Sequence, residues 1–338
     1  MNLGTAALLA ALTGLAAWSA TALALRFLDW RAILDRPNER SSHQRPTPRG
    51  GGIALVPVIL LAWTAVGAAS GAGLLHWIVV AAAAFLAAVS WLDDVRGLPP
   101  GPRFAAHIAA VAVVLALLPV DRLVFQGILP PILDRAAAGL LWVWFANLYN
   151  FMDGIDGITG VETTSLGIGV AIVATLGSGL SAAGVPMAPL GLALAAASIG
   201  FLLWNWHPAR IFMGDVGSVP IGFLAGWLLI GLAASGAWAA ALILPAYYLA
   251  DATITLARRA LRLEAVWRAH REHFYQRAVA AGRSHDAVAT AIGGLDLLLI
   301  GLAAAAGRAP TIALAATIAA TAAFLVALSR SKPRARRP

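Results

Sequence analysis

The apolar positions of this chain run in long blocks, broken by short polar stretches, with no sustained alternation of apolar and polar residues. Blocks of ~20 apolar residues match the hydrocarbon thickness of a bilayer. They predict eleven spans, at 3–28, 52–70, 74–93, 104–120, 136–151, 159–179, 187–206, 218–234, 236–257, 287–307 and 310–329. The expectation is an all-α polytopic membrane protein, with one transmembrane domain over 1–329 and a basic tail over 330–338. No inverted repeat of the transporter kind is visible. The opening MNLGTAALLA has no Lys or Arg, so it reads as a retained membrane helix and not as a secretory leader.

Composition agrees with that pattern. The chain is 60% hydrophobic and 12% charged, with a mean hydropathy of +0.80; a soluble domain would be about a quarter charged. It has no cysteine, which excludes disulfides and thiolate metal sites. The net charge of +8 raises the question of nucleic acid, but the charges cluster between apolar blocks, so no nucleic-acid partner is expected. With the N-terminus outside, the inner segments 26–50, 94–103, 207–217, 257–286 and 330–338 hold 21 of the 24 Lys and Arg. The outer side keeps Arg122, Arg135 and Arg308. The positive-inside bias therefore predicts a cytoplasmic C-terminus. The tail reads as a topology anchor, or as a contact for anionic headgroups.

Carboxylates at the inner helix ends carry the chemical signal, because a charge near the membrane is costly unless it is used. Asp93 and Asp94 end the third span in SWLDDVRG. Adjacent carboxylates repel, so a cation or proton must relieve them, unless the cytosol simply solvates the pair. Arg103 opens the next helix. In NLYNFMDGIDGITG, Asn147, Asn150, Asp153 and Asp156 recur every three residues and predict a slowly turning polar stripe on one helix. In NWHPARIFMGDVGS, Asp215 lies on a glycine-rich turn, with Ser218 as the expected N-cap of the following helix. Such a turn suits a hard metal and a phosphate. Asn205 and Phe212 lie just before it; Phe212 reads either as a base-stacking ring or as an interfacial aromatic.

Two basic loops complete the set. DRPNERSSHQRPTPRGGG carries Arg36, Arg40, His43, Arg45 and Arg49 ahead of a triple glycine. Arginine favours bidentate phosphate contacts, although these charges also enforce topology. The last large inner loop carries His270 and His273, three residues apart and on one face if helical, in surroundings that suit an anion better than zinc. His285 and His76 read as incidental. Lys332 is the only lysine, so no lysine nucleophile operates in the membrane body.

These five pieces, in this order over roughly 35–285, resemble the polyprenyl-phosphate N-acetylhexosamine-1-phosphate transferase family. By that resemblance Asp93 and Asp94 match the DD pair tied to catalysis and lipid-phosphate activation. Asn150, Asp153 and Asp156 match the NxxDGxDG element at the nucleotide and metal site, with Asp156 grouped with the catalytic acids. Asn205, Phe212 and Asp215 match NxxPAxxFxGDxGS, where the Asp is the Mg²⁺ ligand, assisted by Asn150, and the Asn and Phe contact uridine. Arg103, His43 and Arg49 match positions facing the phosphates and the first inner loop. His270 and His273 are weaker substrate-binding matches, because AHREHFYQR replaces a run of three histidines. This departure points away from the peptidoglycan enzyme and toward surface-polysaccharide branches. In the first loop Arg or Ser stands where the family often has lysine.

The resemblance implies a UDP-sugar donor, an undecaprenyl phosphate acceptor, Mg²⁺ with Mn²⁺ as a substitute, a setting in the inner (cytoplasmic) membrane, and release of UMP. A homodimer is compatible with it. One carboxylate of the DD pair would align or deprotonate the lipid phosphate for in-line attack; double displacement through an aspartyl-phosphate is the other route. The rival class is a cation- or proton-coupled transporter. It predicts acids near mid-membrane, where the predicted spans hold Asp251 and Asp296.

Overall fold

The computed structural model describes residues 3–35, 37, 45–265 and 270–330. Among them are thirteen helices: α1 (Leu3–Trp30), α2 (Gly52–Ala69), α3 (Leu74–Arg96), α4 (Pro100–Ala116), α5 (Pro131–Phe151), α6 (Ile158–Leu176), α7 (Met187–Asn205), α8 (Asp215–Ala234), α9 (Trp238–Ile243), α10 (Ala246–Leu261), α11 (Phe274–Ala280), α12 (His285–Ala305) and α13 (Pro310–Ser329). Two small antiparallel pairs, outside the all-α expectation, close loops. β1 (Leu34–Asp35) pairs with β2 (Thr47–Pro48), and β3 (Ser181–Ala182) with β4 (Val185–Pro186).

Eight helices (α1, α2, α3, α6, α7, α8, α12 and α13) are long and apolar enough to cross a membrane, so the protein is polytopic. The other three expected spans fall on less regular elements. The 104–120 span is α4, of 17 residues. The 136–151 span is the C-terminal part of α5, whose start holds Asp134 and Arg135. Asp134 is buried and accepts the N–H groups of Val124 and Phe125 at 2.9 and 2.8 Å, which ties down the preceding loop. The 236–257 span is broken at Pro245 into α9 and α10, since proline has no N–H to continue the helical ladder.

α8 is the axis of the bundle, buried along nearly its whole length. Small residues let its neighbours approach. A Cβ on Gly222 would stand 2.7 Å from the Tyr149 Cβ of α5, and one on Gly200 of α7 would stand 2.3 Å from the Gly14 carbonyl of α1. Trp142 Nε1 donates to the Phe223 carbonyl at 2.8 Å, a hydrogen bond that locks α5 to α8. The outer surface carries exposed Leu8, Leu15, Leu61, Leu140 and Ile318, as a lipid-facing wall requires.

Candidate active site

The C-terminal ends of α3, α5 and α7 and the N-terminal end of α4 gather near the start of α8, and the meeting begins with backbone. The first-loop glycines dock on the segment before α8: Gly50 and Gly51 N–H donate to the Phe212 carbonyl at 3.1 and 2.8 Å, and Gly52 N–H to the Met213 carbonyl at 2.9 Å. Phe212 N–H returns a bond to the Pro48 carbonyl at 2.8 Å. A Cβ on Gly52 would lie 2.2 Å from the backbone nitrogen of Gly217. The triple glycine is therefore a packing requirement, and it delivers Arg49 to the α8 terminus.

That terminus holds the acids. Gly214, at φ 75°, is the N-cap of α8, and a Cβ there would meet Asp94 Oδ2 at 2.7 Å. Asp94 accepts the N–H groups of Asp215 and Val216 at 3.2 and 2.9 Å. Ser218, the expected N-cap, sits inside the first turn, where its hydroxyl donates to the Gly214 carbonyl and accepts from Asn150 Nδ2 at 2.8 Å. The capping role passes to Asp94, which reaches the terminus from another helix.

Two arginines thread the carboxylates. An Arg49 terminal nitrogen is 2.9 Å from both Asp94 and Asp215. Arg103 Nε is 2.9 Å from Asp93 Oδ2, and its terminal nitrogen 3.0 Å from Asp215 Oδ2. Asp93 also accepts the Leu98 N–H, which closes the loop after α3. Asp93, Asp94, Asp215, Arg49, Arg103 and Asn150, nominated separately along the sequence, thus share one site. The Asp94 side chain is 1% exposed and the Arg49 side chain 39%, so the arginines face the opening and the acids its floor.

The expected four-residue stripe is not one helix. α5 ends at Phe151, and Asp153 and Asp156 lie in the turn that Gly157 closes at φ 78°. Asn147 turns back to its own helix and bonds the Val143 carbonyl. Burial raises the Asp153 carboxyl to about 6, against the opposing hydrogen bond of the Thr159 hydroxyl. Asn205 spends its amide on backbone, accepting Gly157 N–H at 3.0 Å and donating to the Ile211 carbonyl at 2.8 Å, which binds the two motifs together. Phe212 is half-buried beside them.

His285, read from the sequence as incidental, is not: its Nδ1 lies 3.2 Å from Asp156 Oδ1, while His207 Nδ1 lies 2.6 Å from Oδ2. Burial pushes the Asp156 carboxyl upward, but the hydrogen bonds from His285 and His207 win and its pKa is lowered. Nothing in sequence spacing links positions 156, 207 and 285.

The segment before α11 also differs from expectation. His270 and His273 share no helix; His273 is the N-cap of α11, and the two rings stack at 4.9 Å. Burial and the neighbouring His273 push His270 down to about 4. His273 Nδ1 is 3.1 Å from Asp251, which also accepts the Phe274 and Tyr275 N–H groups. Asp251 is thus the anchor of this loop. Glu162, which the sequence reading passed over, is 1% exposed in α6, and Asp296 is 2% exposed in α12. His43, Arg36 and Arg40 lie outside the described residues.

The architecture is that of a polytopic membrane protein with its acids and arginines gathered at one end of the bundle. Residues 76–233 match glycosyl transferase family 4, and this part of the chain belongs to that family, as the motifs suggested. The matched region holds both carboxylate groups and the α8 turn, but neither Arg49 nor the His270–His273 loop. The chain is 28% identical to a Bacillus subtilis protein named probable undecaprenyl-phosphate N-acetylglucosaminyl 1-phosphate transferase, over 75% of this chain and 71% of that one. It is 34% identical to a Mycolicibacterium smegmatis decaprenyl-phosphate N-acetylglucosaminephosphotransferase, over 60% of this chain and 53% of that one. It is also 34% identical to a Synechococcus phospho-N-acetylmuramoyl-pentapeptide-transferase, over 63% of this chain and 64% of that one.

Proposed function

We propose that this protein transfers a HexNAc-1-phosphate, or its deoxy form, from a UDP-sugar to undecaprenyl phosphate at the cytoplasmic face of the inner membrane, initiating a surface polysaccharide. The observation that carries this reading is the meeting of Asp93, Asp94 and Asp215 with Arg49 and Arg103 on the N-terminus of α8. Arginine forks, backbone N–H groups and a helix terminus recognise phosphate oxygens. The relatives' names supply the donor and acceptor classes.

The residues fit a hard dication. Three carboxylates and the Asn150 amide are oxygen donors, and the acids outnumber the two arginines paired with them. Asp215 and Asn150 would hold Mg²⁺, which when bound neutralises charge on the donor diphosphate. Arg49 and Arg103 exchange their carboxylate partners for diphosphate oxygens. Asp94 or Asp93 takes the proton of the lipid phosphate, or aligns it. The lipid phosphate oxygen attacks the sugar-bearing phosphorus in line, the bond to the UMP phosphate oxygen breaks, and UMP leaves.

An apolar cavity of about 390 Å³ between α5, α8 and α9, lined by Trp142, Phe145, Gly226, Leu229 and Trp238, supports a place for the isoprenoid tail. Gly226 lies eleven residues along α8 from Asp215, or ~16 Å at the helical rise. Eleven crossings fit this orientation if α4, α5 and α9–α10 cross as well, and the 21-to-3 charge bias supports it. The transporter reading keeps Glu162 and Asp296 as its buried acids. Asp251 leaves that list because it anchors α11. The test is a panel of UDP-sugars with undecaprenyl phosphate, read as UMP release. No UMP with any donor, together with cation-coupled flux in vesicles, selects the transporter.

A further inference from the structure

Three side chains outside the Asp94–Asp215 cluster come from three separate elements: Asp156 from the α5–α6 turn, His207 from the segment after α7, and His285 from the first residue of α12. One donor atom from each of the three lies within 4.8 Å of the other two. His207 Nδ1 and His285 Nδ1 approach opposite oxygens of the same carboxylate, at 2.6 and 3.2 Å, and the two rings are 4.9 Å apart. Two imidazole nitrogens and one carboxylate are the donor set of zinc-class ions, softer than the all-oxygen set at Asp215.

Hydrogen bonding alone leaves a conflict in this triad. His285 Nδ1 lies 3.3 Å from the Asp156 N–H as well as 3.2 Å from Oδ1. One ring nitrogen can accept from the N–H or donate to the carboxylate, but not both. If it accepts, its lone pair faces a carboxylate oxygen with no proton between them. A cation held by Oδ1 and the two imidazoles removes that repulsion. Asp156 and His285 are buried, whereas the His207 side chain is 37% exposed, so the remaining coordination position opens to water.

We propose that Asp156, His207 and His285 bind one zinc-class transition-metal dication, separate from the hard-cation site at Asp215. The ion clips the α5–α6 turn to the segment after α7 and to the start of α12. It thereby holds the turn whose Gly157 N–H bonds Asn205 at 3.0 Å.

The test uses the full chain without a polyhistidine tag, in lipid nanodiscs, stripped by chelator. Co²⁺ is titrated in and followed by its visible ligand-field absorption, and Zn²⁺ by thermal unfolding. The expected result is saturation at one Co²⁺ per chain, displaced by Zn²⁺ but not by excess Mg²⁺, with a higher unfolding midpoint in Zn²⁺. His207→Ala, on an exposed ring that folding tolerates, weakens Co²⁺ binding by more than ~10-fold, at least what losing an outer-shell partner costs. His285→Ala does the same, and His270→Ala changes nothing. Absence of absorption at stoichiometric Co²⁺, or wild-type affinity in both His207→Ala and His285→Ala, overturns the site. A loss confined to His270→Ala also overturns it, by moving the ion to the other histidine pair. These readouts do not depend on sugar-phosphate transfer, so they stand or fall apart from the proposed reaction.

Discussion

The carboxylate of Asp94 accepts the backbone N–H of Val216 at 2.9 Å and so caps a helix 122 residues away in sequence. An acid on a helix N-terminus stands where an anionic phosphate is favoured. Asp94→Asn keeps one acceptor but loses the charge that pairs with Arg49. Turnover should fall by at least ~100-fold, the scale of removing a key electrostatic group. UMP affinity, measured by calorimetry with Mg²⁺, should stay within a few-fold of wild type, whereas Asp156→Asn should weaken it. Loss of UMP binding in Asp94→Asn, with binding intact in Asp156→Asn, reverses these roles.

Among the described residues, Asp215 is the one acid that touches both arginines. Asp215→Asn should lower turnover by at least ~100-fold. EDTA should abolish activity, and Mg²⁺ or Mn²⁺ should restore it. Full activity after exhaustive washing in EDTA removes the hard-cation role.

Asp153 should give the fold a measurable pH dependence. Burial raises its carboxyl to about 6, so the folded chain holds this proton more tightly than the unfolded one. Its contribution to stability is full below about pH 4 and is lost as pH rises through about 6. Unfolding midpoints of wild type and Asp153→Asn are compared at about pH 5 and about pH 7.5. The variant should show the smaller drop at the higher pH; equal drops refute the assignment.

Asp251 should matter for stability. It is fully buried and accepts from His273, Phe274 and Tyr275. Asp251→Ala leaves these donors without their acceptor and should cost at least ~2 kcal/mol, since each buried unsatisfied group costs ~1–3. The unfolding midpoint in detergent should fall; an unchanged midpoint means that water or another acceptor replaces the carboxylate.

Topology is open to direct labelling because the chain has no cysteine. Single cysteines in 94–103, 207–217 and 257–286 should resist an impermeant thiol reagent applied to intact cells and react after lysis. Labelling of any of these loops from outside contradicts the charge-based orientation.

The sequence by itself determined the solvent of this protein and named most of the acids of its candidate site. Long apolar blocks have one stable outcome, membrane helices, because unpaired backbone polar groups are too costly in hydrocarbon. Acids that interrupt such blocks stand out for the same reason, so Asp93, Asp94, Asp153, Asp156 and Asp215 were legible as candidates. Local rules also found the glycine-rich turn that carries Asp215. They failed where an element's state depends on distant partners. Asp153 and Asp156 keep a helical spacing, but Gly157 at positive φ and the bond to Asn205 place them in a turn. Ser218 has the chemistry of an N-cap, yet Asp94 from α3 takes the role. The tertiary structure alone decided that Arg49 and Arg103 bridge the acids, that Asp251 secures α11, and that His207 and His285 flank Asp156. Sequence periodicity reports which face of one helix a residue occupies; contact between the ends of different helices is set by how the whole bundle packs, and no local spacing encodes it.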